Sequence, residues 1–327
     1  MVNSAAKLSS KLFADDIEQT STRDGFGTGV VEEGRANPRV VVLCADLKES
    51  TRAEAFEKAF PERFVELGVA EQNMATVASG MAAVGKIPFI TSYAAFSPGR
   101  TYEQIRTTIA LNRMPVKICG MHAGVSVGPD GATHQMLEDV GMMRMLPGMT
   151  VIVPGDAEEA HKAVRAAART EGPVYLRFGR SDTPVFTTSG TPFAIGKALE
   201  LWREGAPRIA ILSTGSLSYS ALVAAKALSA KGIASIVLHN PSVKPLDEVA
   251  ILEAAKSAGR VVTIEEHQVA GGFGSAVAEF LSHTHPVPIL RLGINDSFGQ
   301  SGTVAELIEH YGLSPEKIAA QVAAFIV

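Results

Sequence analysis

Two stretches of the chain carry side chains suited to acid–base chemistry. The first has a single acid, Glu71, at the start of a segment in which Met74, Val77 and Met81 recur on one helix face. An acid in the first turn complements the helix macrodipole, which gives Glu71 a structural explanation. A carboxyl group in a dry, apolar pocket can instead hold or share a proton at neutral pH. Both interpretations stay open on this stretch alone.

The second stretch is the loop from His122 to Gln135, which contains His122, Asp130 and His134. Its segment Gly128-Pro129-Asp130-Gly131 is typical of a turn, since proline suits the second position and glycine tolerates positive φ. Such a turn would let the two histidines face one cavity and take part in proton transfer. For each histidine alone, a hydrogen-bonded structural role is the alternative. No neighbouring Cys, His or Glu completes a zinc-like set.

Alternating strands and helices must position these residues. Continuous apolar runs predict buried parallel strands, and they cover Arg39–Cys44, Arg63–Leu67, Ile87–Tyr93, Pro115–Met121, Met149–Val153 and Pro173–Phe178. Helical patterns lie between them, at Arg23–Glu33, Arg52–Phe60, Ala70 onward, Tyr102–Leu111, Met136–Met145 and Ala157–Ala168. This alternation predicts a doubly wound parallel sheet, in which ligands collect where the strands end.

A second α/β unit follows a Ser, Thr and Pro-rich segment. Its predicted strands are Arg208–Leu212, Ala234–Leu238, Arg260–Ile264 and Pro288–Leu292, and its predicted helices are Leu217–Ala230, Leu246–Ala258, Phe273–Ser282 and Val304–Tyr311. We therefore predict an α/β protein of two doubly wound domains, with an N-terminal arm (1–20), a first domain (21–185), a linker (186–195) and a second domain (196–327).

Composition and charge argue against several classes of protein. The 327 residues have a formal net charge of −4 and no Lys/Arg-rich run, which disfavours a nucleic-acid partner. No apolar run is long enough to span a membrane, and Met1–Thr22 lacks the apolar core of a signal peptide. Cys44 and Cys119 lie far apart, so we expect reduced, buried thiols. The expectation is a cytoplasmic protein that binds neither membranes nor nucleic acid.

The segment Gly68-Val69-Ala70-Glu71-Gln72-Asn73-Met74 resembles the glutamate motif in the pyrimidine-binding domain of thiamine-diphosphate enzymes, most closely transketolases. The resemblance covers about residues 20 to 327 and implies that Glu71 is catalytic and hydrogen-bonds N1′ of the cofactor's aminopyrimidine. A carboxyl there favours the imino tautomer, whose 4′-nitrogen removes the C2 proton. The loop from His122 to Gln135 resembles the substrate-channel loop of transketolases, which implies that His122, Asp130 and His134 bind ketose hydroxyls and that the histidines assist proton transfer.

The same resemblance assigns further cofactor contacts. It implies that the ring of Phe96 stacks against the aminopyrimidine and that Tyr93 lines the pocket, since flat apolar faces suit a heteroaromatic ring. Asp46 is similar to an aspartate near the cofactor. Gln104 matches a glutamine that reaches the reaction centre in animal-type transketolases.

A phosphate site is implied as well. Arg180 matches a phosphate-binding arginine of the family, and Arg23 and Ser50 match less strongly. The planar fork of arginine fits phosphate oxygens in a bidentate manner. A solvated surface charge is the alternative for each arginine, and sugar phosphates are the expected substrates.

The half of the site that binds the diphosphate and its metal is not recognisable in this sequence. The family uses a Gly-Asp-Gly segment and a later Asn, whereas this chain has only Gly155-Asp156-Ala157, on a different strand. The resemblance therefore implies the C-terminal subunit of a split transketolase that uses thiamine diphosphate, with Mg²⁺ held mainly by a separate N-terminal, diphosphate-binding subunit. It also implies self-association in an α2β2 assembly, with the small residues Ala75–Ala83 as part of the interface between the chains.

The implied reaction transfers a two-carbon ketol unit from a ketose phosphate to an aldose phosphate. A deoxyxylulose-phosphate synthase-like enzyme, a β-type subunit of a 2-oxo acid dehydrogenase and a non-catalytic binding module are the alternatives. His122 and the Gly-Pro-Asp-Gly-Ala-Thr-His loop favour the sugar-phosphate reaction. In the second domain, the glycines of Gly271–Ser275 could bind an anion at a helix start. The resemblance favours a structural role instead, since related enzymes carry similar segments in a mainly structural domain that supports dimerisation.

Overall fold

Fourteen strands and eleven α-helices make up the fold in the computed structural model, which describes residues 1–326; Val327, the last residue of the predicted second domain, lies outside the described residues. The strands are β1 (Gln19–Thr20), β2 (Val40–Cys44), β3 (Phe64–Glu66), β4 (Ile87–Tyr93), β5 (Lys117–Met121), β6 (Thr150–Ile152), β7 (Val174–Arg177), β8 (Thr183–Pro184), β9 (Leu199–Arg203), β10 (Ile209–Ser213), β11 (Ser235–His239), β12 (Ser242–Lys244), β13 (Val261–Gln268) and β14 (Ile289–Ile294).

The helices lie mostly between these strands in the chain. They are α1 (Thr22–Ala36), α2 (Glu54–Ala59), α3 (Glu71–Ala83), α4 (Tyr102–Gln104), α5 (Asp139–Arg144), α6 (Ala157–Ala168), α7 (Leu217–Ser229), α8 (Glu248–Ala258), α9 (Phe273–Thr284), α10 (Val304–His310) and α11 (Pro315–Ile326). A π-helical segment, Ile105–Ala110, continues α4, and short 3₁₀ turns cover Ser4–Ala6, Pro61–Arg63 and Val125–Val127.

Two mixed, mainly parallel sheets form the framework. The larger has seven strands in the order β12-β6-β7-β5-β4-β2-β3, and the smaller has five in the order β14-β13-β10-β11-β9. Only β12 in the larger sheet and β9 in the smaller one run antiparallel to their neighbours among the described strands. The predicted fold class, an α/β protein with two doubly wound sheets, is confirmed.

The core lies on both faces of each sheet, as parallel sheets require. Along β2, Val41 and Leu43 face one hydrophobic cluster while Val40 and Val42 face another, which is the two-residue period of a strand. The first cluster continues to the smaller sheet, where Leu212 belongs to it. The two sheets therefore share part of their core. Both cysteines are buried and free, as expected.

The glycines that weaken the helical pattern of α1 allow close packing. A Cβ atom on Gly25 would overlap the carbonyl oxygen of Ala157 at the start of α6, and one on Gly29 would lie 3.1 Å from the carbonyl oxygen of His161. The backbones of α1 and α6 thus approach each other directly. This run of glycines is a helix-packing surface.

Several elements differ from the sequence-based expectations. Strands β9 and β12 and helix α11 were not predicted, and the helix expected over Met136–Met145 is limited to Asp139–Arg144. The segment before the second domain is ordered by packing: β8 pairs with β1, and Phe186 is fully buried. The small residues Ala75, Ala78 and Ala82 of α3 are also buried within this chain, so the outward face of α3 is formed by its other residues.

The topology determines which loops meet. Strands β2, β4, β5 and β7 are adjacent and parallel, with β3 beside β2, so the loops after them emerge at one edge. We call this the site edge. Among the described residues, no helix is long and apolar enough to cross a membrane.

Candidate active site

Glu71 is the first residue of α3, and its side chain is almost entirely enclosed at 2% exposure. The helix buries Met74, Ala75 and Ala78 against the sheet, and this packing draws its first turn into the site edge. The sequence suggested a purely apolar pocket around the carboxyl group, but the structure also places a charged side chain there. Nη1 of Arg100 donates a hydrogen bond of 2.8 Å to Oε2 of Glu71, and the Arg100 side chain is 50% exposed.

A cluster of four rings lies beside this ion pair. The rings of Tyr93 and Phe96 are stacked, with centroids 5.9 Å apart and planes at 13°. His122 contacts Tyr93 at a centroid distance of 4.2 Å, and His134 approaches the edge of Phe96 at 5.6 Å. The Arg100 guanidinium carbon lies 5.0 Å from the centre of the Phe96 ring, so the ring cluster continues to the carboxyl group.

His122 is held as a neutral imidazole. It sits directly after β5 with a φ of 54° and is 1% exposed. Burial, together with the positive charges of Arg23 and Arg180, lowers the pKa of His122 to about 3. Its Nε2 lies 3.1 Å from Nη1 of Arg23, which has only hydrogens to donate, so Nε2 is the acceptor and Nδ1 carries the proton. Nδ1 is buried without a hydrogen-bond partner, so its N–H is an unsatisfied donor.

The predicted phosphate ligands gather around His122. Nη1 of Arg23 also donates to the carbonyl oxygen of Ser50 at 2.9 Å. Nη1 of Arg180 donates to Oδ1 of Asp130 at 2.9 Å, and the side chains of that pair are 37% and 29% exposed. The structure thus brings together two arginines and one neutral N–H donor, Arg23 from the first turn of α1, His122 from the loop after β5 and Arg180 from the loop after β7. Such a group can bind an oxyanion.

Two further predicted cofactor residues, Asp46 and Gln104, form hydrogen bonds to acids outside this cluster. Asp46 is exposed with a φ of 59°, and its backbone N–H donates to Oε1 of Glu66 at 2.8 Å. Nε2 of Gln104 donates to Oε2 of Glu103 at 2.7 Å, while Oε1 of Gln104 is buried without a partner. The oxygen of Gln104 is thus, like Nδ1 of His122, an unsatisfied buried polar atom. Asp46 makes its observed hydrogen bond through the backbone only.

The second domain fixes the loop that carries the histidines, a role that the sequence did not reveal. Glu266, at the end of β13, accepts hydrogen bonds from the backbone N–H of Ser126 at 2.5 Å and from its hydroxyl group at 3.2 Å. Gln135 donates to the carbonyl oxygen of Gln300 at 2.9 Å. The run Glu265-Glu266-His267 at a strand's carboxyl end was the available signal, but it does not say which loop those side chains meet.

A buried ion pair supports the same contact between domains. Nε of Arg177 donates to Oδ2 of Asp139 at 2.7 Å, with side-chain exposures of 8% and 0%. Arg177 also donates to the carbonyl oxygen of Glu266 at 2.9 Å, and Tyr175 donates to Asp139 at 2.6 Å. The Arg177 guanidinium holds the pKa of Asp139 below its ordinary value although burial acts in the opposite direction. This network is structural and lies behind the site.

The glycine-rich start of α9 is already occupied by a carboxyl group of this chain. Oε2 of Glu265 accepts the N–H of Phe273 at 2.6 Å, and Oε1 accepts that of Gly274 at 2.8 Å. Glu265 is 2% exposed, so its carboxyl group fills the place that an external anion would take. This favours the structural interpretation of the segment.

A buried Ser218–His239–Glu159 arrangement has the residue types of a hydrolytic triad. Nδ1 of His239 lies 2.6 Å from the Ser218 hydroxyl oxygen, and its Nε2 lies 2.7 Å from Oε2 of Glu159. All three residues are 0–2% exposed, and the ring of Phe186 packs against the imidazole. No substrate can reach the serine in this packing, so the arrangement connects α6 of the first domain to α7 and β11 of the second.

The residues fit one half of a thiamine-diphosphate site. A flat aromatic stack with a carboxyl group beside it suits an aminopyrimidine, which needs a planar contact and a hydrogen-bonding group at its edge. Within residues 1–326, no group of three or more His, Cys, Asp or Glu side chains could hold a metal ion. The side chains of this chain therefore suit the pyrimidine of the cofactor, and we assign no metal ligand among them.

Fold and site together define a two-domain α/β chain with an acid, an aromatic stack and two histidines along one sheet edge. Residues 18–185 match the model of the transketolase, pyrimidine binding domain, and residues 196–318 match that of the transketolase, C-terminal domain. The chain belongs to the transketolase family.

Similar proteins cover nearly all of this chain. A putative transketolase C-terminal section from Methanocaldococcus jannaschii is 42% identical over 92% of this chain and 94% of its own length. A protein named 6-deoxy-6-sulfo-D-fructose transketolase subunit SqwH, from Clostridium sp. (strain MSTE9), is 39% identical over 94% of both. A solved structure titled as a split gene transketolase, inactive beta4 tetramer, has a TM-score of 0.86 and 45% identity, covering 93% of this chain and 97% of its own.

Proposed function

We propose that this chain is the C-terminal subunit of a two-chain transketolase, which transfers a two-carbon ketol unit from a ketose phosphate to an aldose phosphate. The observation that carries the proposal is the position of Glu71 beside the Tyr93–Phe96 stack. The group around His122 contacts Tyr93, whereas Arg100 and its partner Glu71 contact the other ring of the stack, Phe96. A cofactor ring and a phosphorylated substrate could thus be bound side by side.

A separate subunit supplies the diphosphate and Mg²⁺ half of the site in this proposal. Two relatives support it by name, one as a C-terminal section and one as the product of a split gene. The second is also titled as an inactive tetramer of beta chains, which agrees with a beta chain that needs a partner for activity. We propose an α2β2 assembly in the cytoplasm, with the cofactor between the two kinds of chain.

The side chains of this subunit have separate roles in the proposed reaction. When bound, thiamine diphosphate supplies a nucleophilic carbon for the ketose carbonyl group. Glu71 holds the pyrimidine ring through its edge and shares a proton with it, while Phe96 and Tyr93 contact its face. The family resemblance assigns Gln104 and Asp46 to the same cofactor site.

The two histidines have different roles toward the substrate in this proposal. The neutral His122 donates its Nδ1–H to a substrate oxygen, since its low pKa of about 3 prevents proton uptake at neutral pH. His134 is half-buried and in contact with both rings, so it is the histidine that we assign to proton transfer. Arg180 and Arg23 hold the phosphate, and Asp130 orients Arg180 and meets a substrate hydroxyl group. Ser50 completes the phosphate site.

The direct test mixes the chain with its diphosphate-binding subunit. We expect the isolated chain to be inactive and the mixture to gain ketol-transfer activity when thiamine diphosphate and Mg²⁺ are present. Glu71→Gln removes the ionisable group and should lower kcat by about 10²- to 10⁴-fold, the usual range for a general acid–base group. Glu62→Gln, at an exposed acid of the same segment, is the matched control and should retain activity. Full activity of the isolated chain would rule out the divided site.

Donor specificity separates the related reactions. Fructose 6-phosphate should be a donor and pyruvate should not, whereas a deoxyxylulose-phosphate synthase-like or 2-oxo acid enzyme would use pyruvate. The name of the clostridial relative adds 6-deoxy-6-sulfo-D-fructose as a third donor to assay. Its sulfonate offers arginine the same kind of oxygen acceptors as a phosphate ester. A chain that binds the cofactor but turns over no donor would be a non-catalytic module.

A further inference from the structure

Arg100 links the two groups that are proposed to hold the cofactor's pyrimidine ring. Its guanidinium donates to the buried carboxyl group of Glu71 at 2.8 Å, and its central carbon lies 5.0 Å from the centre of the Phe96 ring. A guanidinium is planar, carries N–H donors along its edge and packs against aromatic faces. An aminopyrimidine offers the same kind of contacts. In the free chain, Arg100 therefore makes with Glu71 and Phe96 the two contacts that the proposed function gives to the cofactor.

From this geometry we infer that Arg100 competes with the aminopyrimidine for Glu71 and must leave the carboxyl group before the cofactor can bind. The inference rests on the proposed function. It assigns Arg100 as a residue that sets cofactor affinity, by occupying the binding groups of this subunit until the ring replaces it.

The burial of Glu71 explains why such a residue is needed. The Glu71 side chain is 2% exposed, and an ionised carboxyl group that is buried without a partner is strongly destabilising. Arg100 supplies that partner while the ring is absent. Because the arginine side chain is itself 50% exposed, it can move into solvent without disrupting the core. The pair combines a carboxyl group fixed by packing with a cation that is free to leave.

The chemistry of Glu71 explains why Arg100 must leave. Oε2 of Glu71 can meet a ring nitrogen only when it no longer accepts the N–H of Arg100. Arginine stays protonated at all relevant pH values and cannot take part in the proton sharing. A permanent ion pair would therefore oppose the function proposed for Glu71, whereas a displaceable one would not.

Competition has a measurable consequence for affinity. When only a fraction of the molecules have the binding groups free, the apparent dissociation constant is the intrinsic one divided by that fraction. Removing the competitor should tighten cofactor binding by about fivefold, the factor that corresponds to about 1 kcal/mol for one partly exposed ion pair. A general electrostatic effect has the opposite sign, because removing a positive charge weakens the binding of an anionic cofactor.

The test titrates thiamine diphosphate, with Mg²⁺ present, into the complex of this chain with its diphosphate-binding subunit. Isothermal titration calorimetry on wild type and Arg100→Met gives the dissociation constant without reference to turnover. Arg106→Met is the matched control, since Arg106 is an exposed arginine on the adjoining π-helical segment. We expect Arg100→Met to bind about fivefold more tightly than wild type and Arg106→Met to bind no more tightly. In the free chain, Arg100→Met should lower the urea midpoint, and it should not do so in a Glu71→Gln background.

Other results overturn the inference. Unchanged binding by Arg100→Met would mean that the arginine does not compete. Weaker binding would mean that it stays on Oε2 and orients the carboxyl group for the ring. Tightening that persists in the Glu71→Gln background would not come from release of the carboxyl group. Failure of the proposed function looks different: in that case Glu71→Gln would bind the cofactor as well as wild type, whatever Arg100 does.

Discussion

Replacing His122 should change how the stability of the chain depends on pH. The imidazole is 1% exposed, and burial beside Arg23 lowers its pKa from the ordinary 6.5 to about 3. The unfolded chain therefore binds a proton on this residue below pH 6.5 while the folded chain does not. As the pH falls through the window from 6.5 to 3, this difference removes stability from the folded state, and the loss is complete below pH 3.

The size of the effect follows from the two pKa values. Each pH unit below the unfolded pKa costs about 1.4 kcal/mol, so lowering the pH from 7 to 5 should remove about 2 kcal/mol through His122 alone. At pH 5 the folded imidazole is still neutral, so the unfolded pKa determines this figure. His122→Asn removes the titrating group, and asparagine tolerates the positive φ of this position.

The measurement is urea unfolding, followed by circular dichroism at pH 7 and pH 5, for wild type and His122→Asn. We expect the difference in unfolding free energy between the two proteins to shift by about 2 kcal/mol in favour of the variant at pH 5. His283→Asn, at an exposed histidine of α9, is the control. A difference between wild type and His122→Asn that is the same at both pH values would refute the neutral, Arg23-bonded state of the imidazole.

Three further predictions test the phosphate site and the packing that supports it. Arg180→Met should raise KM for a phosphorylated ketose by about tenfold to a hundredfold, which corresponds to the loss of one charged hydrogen bond. The KM of an unphosphorylated ketose should not change. Equal effects on both substrates would mean that the phosphate binds elsewhere. Asp139→Asn leaves Arg177 buried without its ionised partner. The free energy of unfolding, measured in urea, should therefore fall by about 3–5 kcal/mol, and a fall below about 1 kcal/mol would contradict the buried ion pair. Gly25→Ala should lower the free energy of unfolding by about 1–3 kcal/mol, because the added methyl group would overlap the carbonyl oxygen of Ala157. Gly80→Ala is the control: its methyl group would meet nothing within 4 Å, so this variant should not destabilise the chain.

The framework of the fold was accessible from the sequence because its central strands are buried on both faces. Such strands appear as uninterrupted apolar runs, and the run predicted at Ile87–Tyr93 coincides with β4. The helix predicted at Ala157–Ala168 coincides with α6 for a similar reason, since its apolar residues have a clear helical period. Strand β9 was missed because an antiparallel edge strand has a weaker pattern. The short strand β12 was missed because three residues give no period at all.

Part of the candidate site was accessible too. Residues that follow parallel strands meet at one edge, so the proximity of Tyr93, His122 and Arg180 could be expected from strand ends alone. Glu266 could not be placed in this way. It lies 140 residues after Ser126 in the chain, and only the docking of the two sheets brings its carboxyl group to that loop. The contact between Arg100 and Glu71 could not be predicted either, because the direction of a long side chain in an irregular turn depends on what surrounds it.

The sequence by itself determined where the strands end, and therefore which loops share an edge and which types of side chain they carry. Periodicity and local turn chemistry contain that information, because both act over a few neighbouring residues. The tertiary structure alone decided the charge state and the partner of each group. His122 is neutral because Arg23 and the surrounding packing exclude its protonated form, and Glu71 is paired because Arg100 reaches its buried oxygen. Burial and charge pairing arise between residues that are remote in the chain, so no local pattern records them.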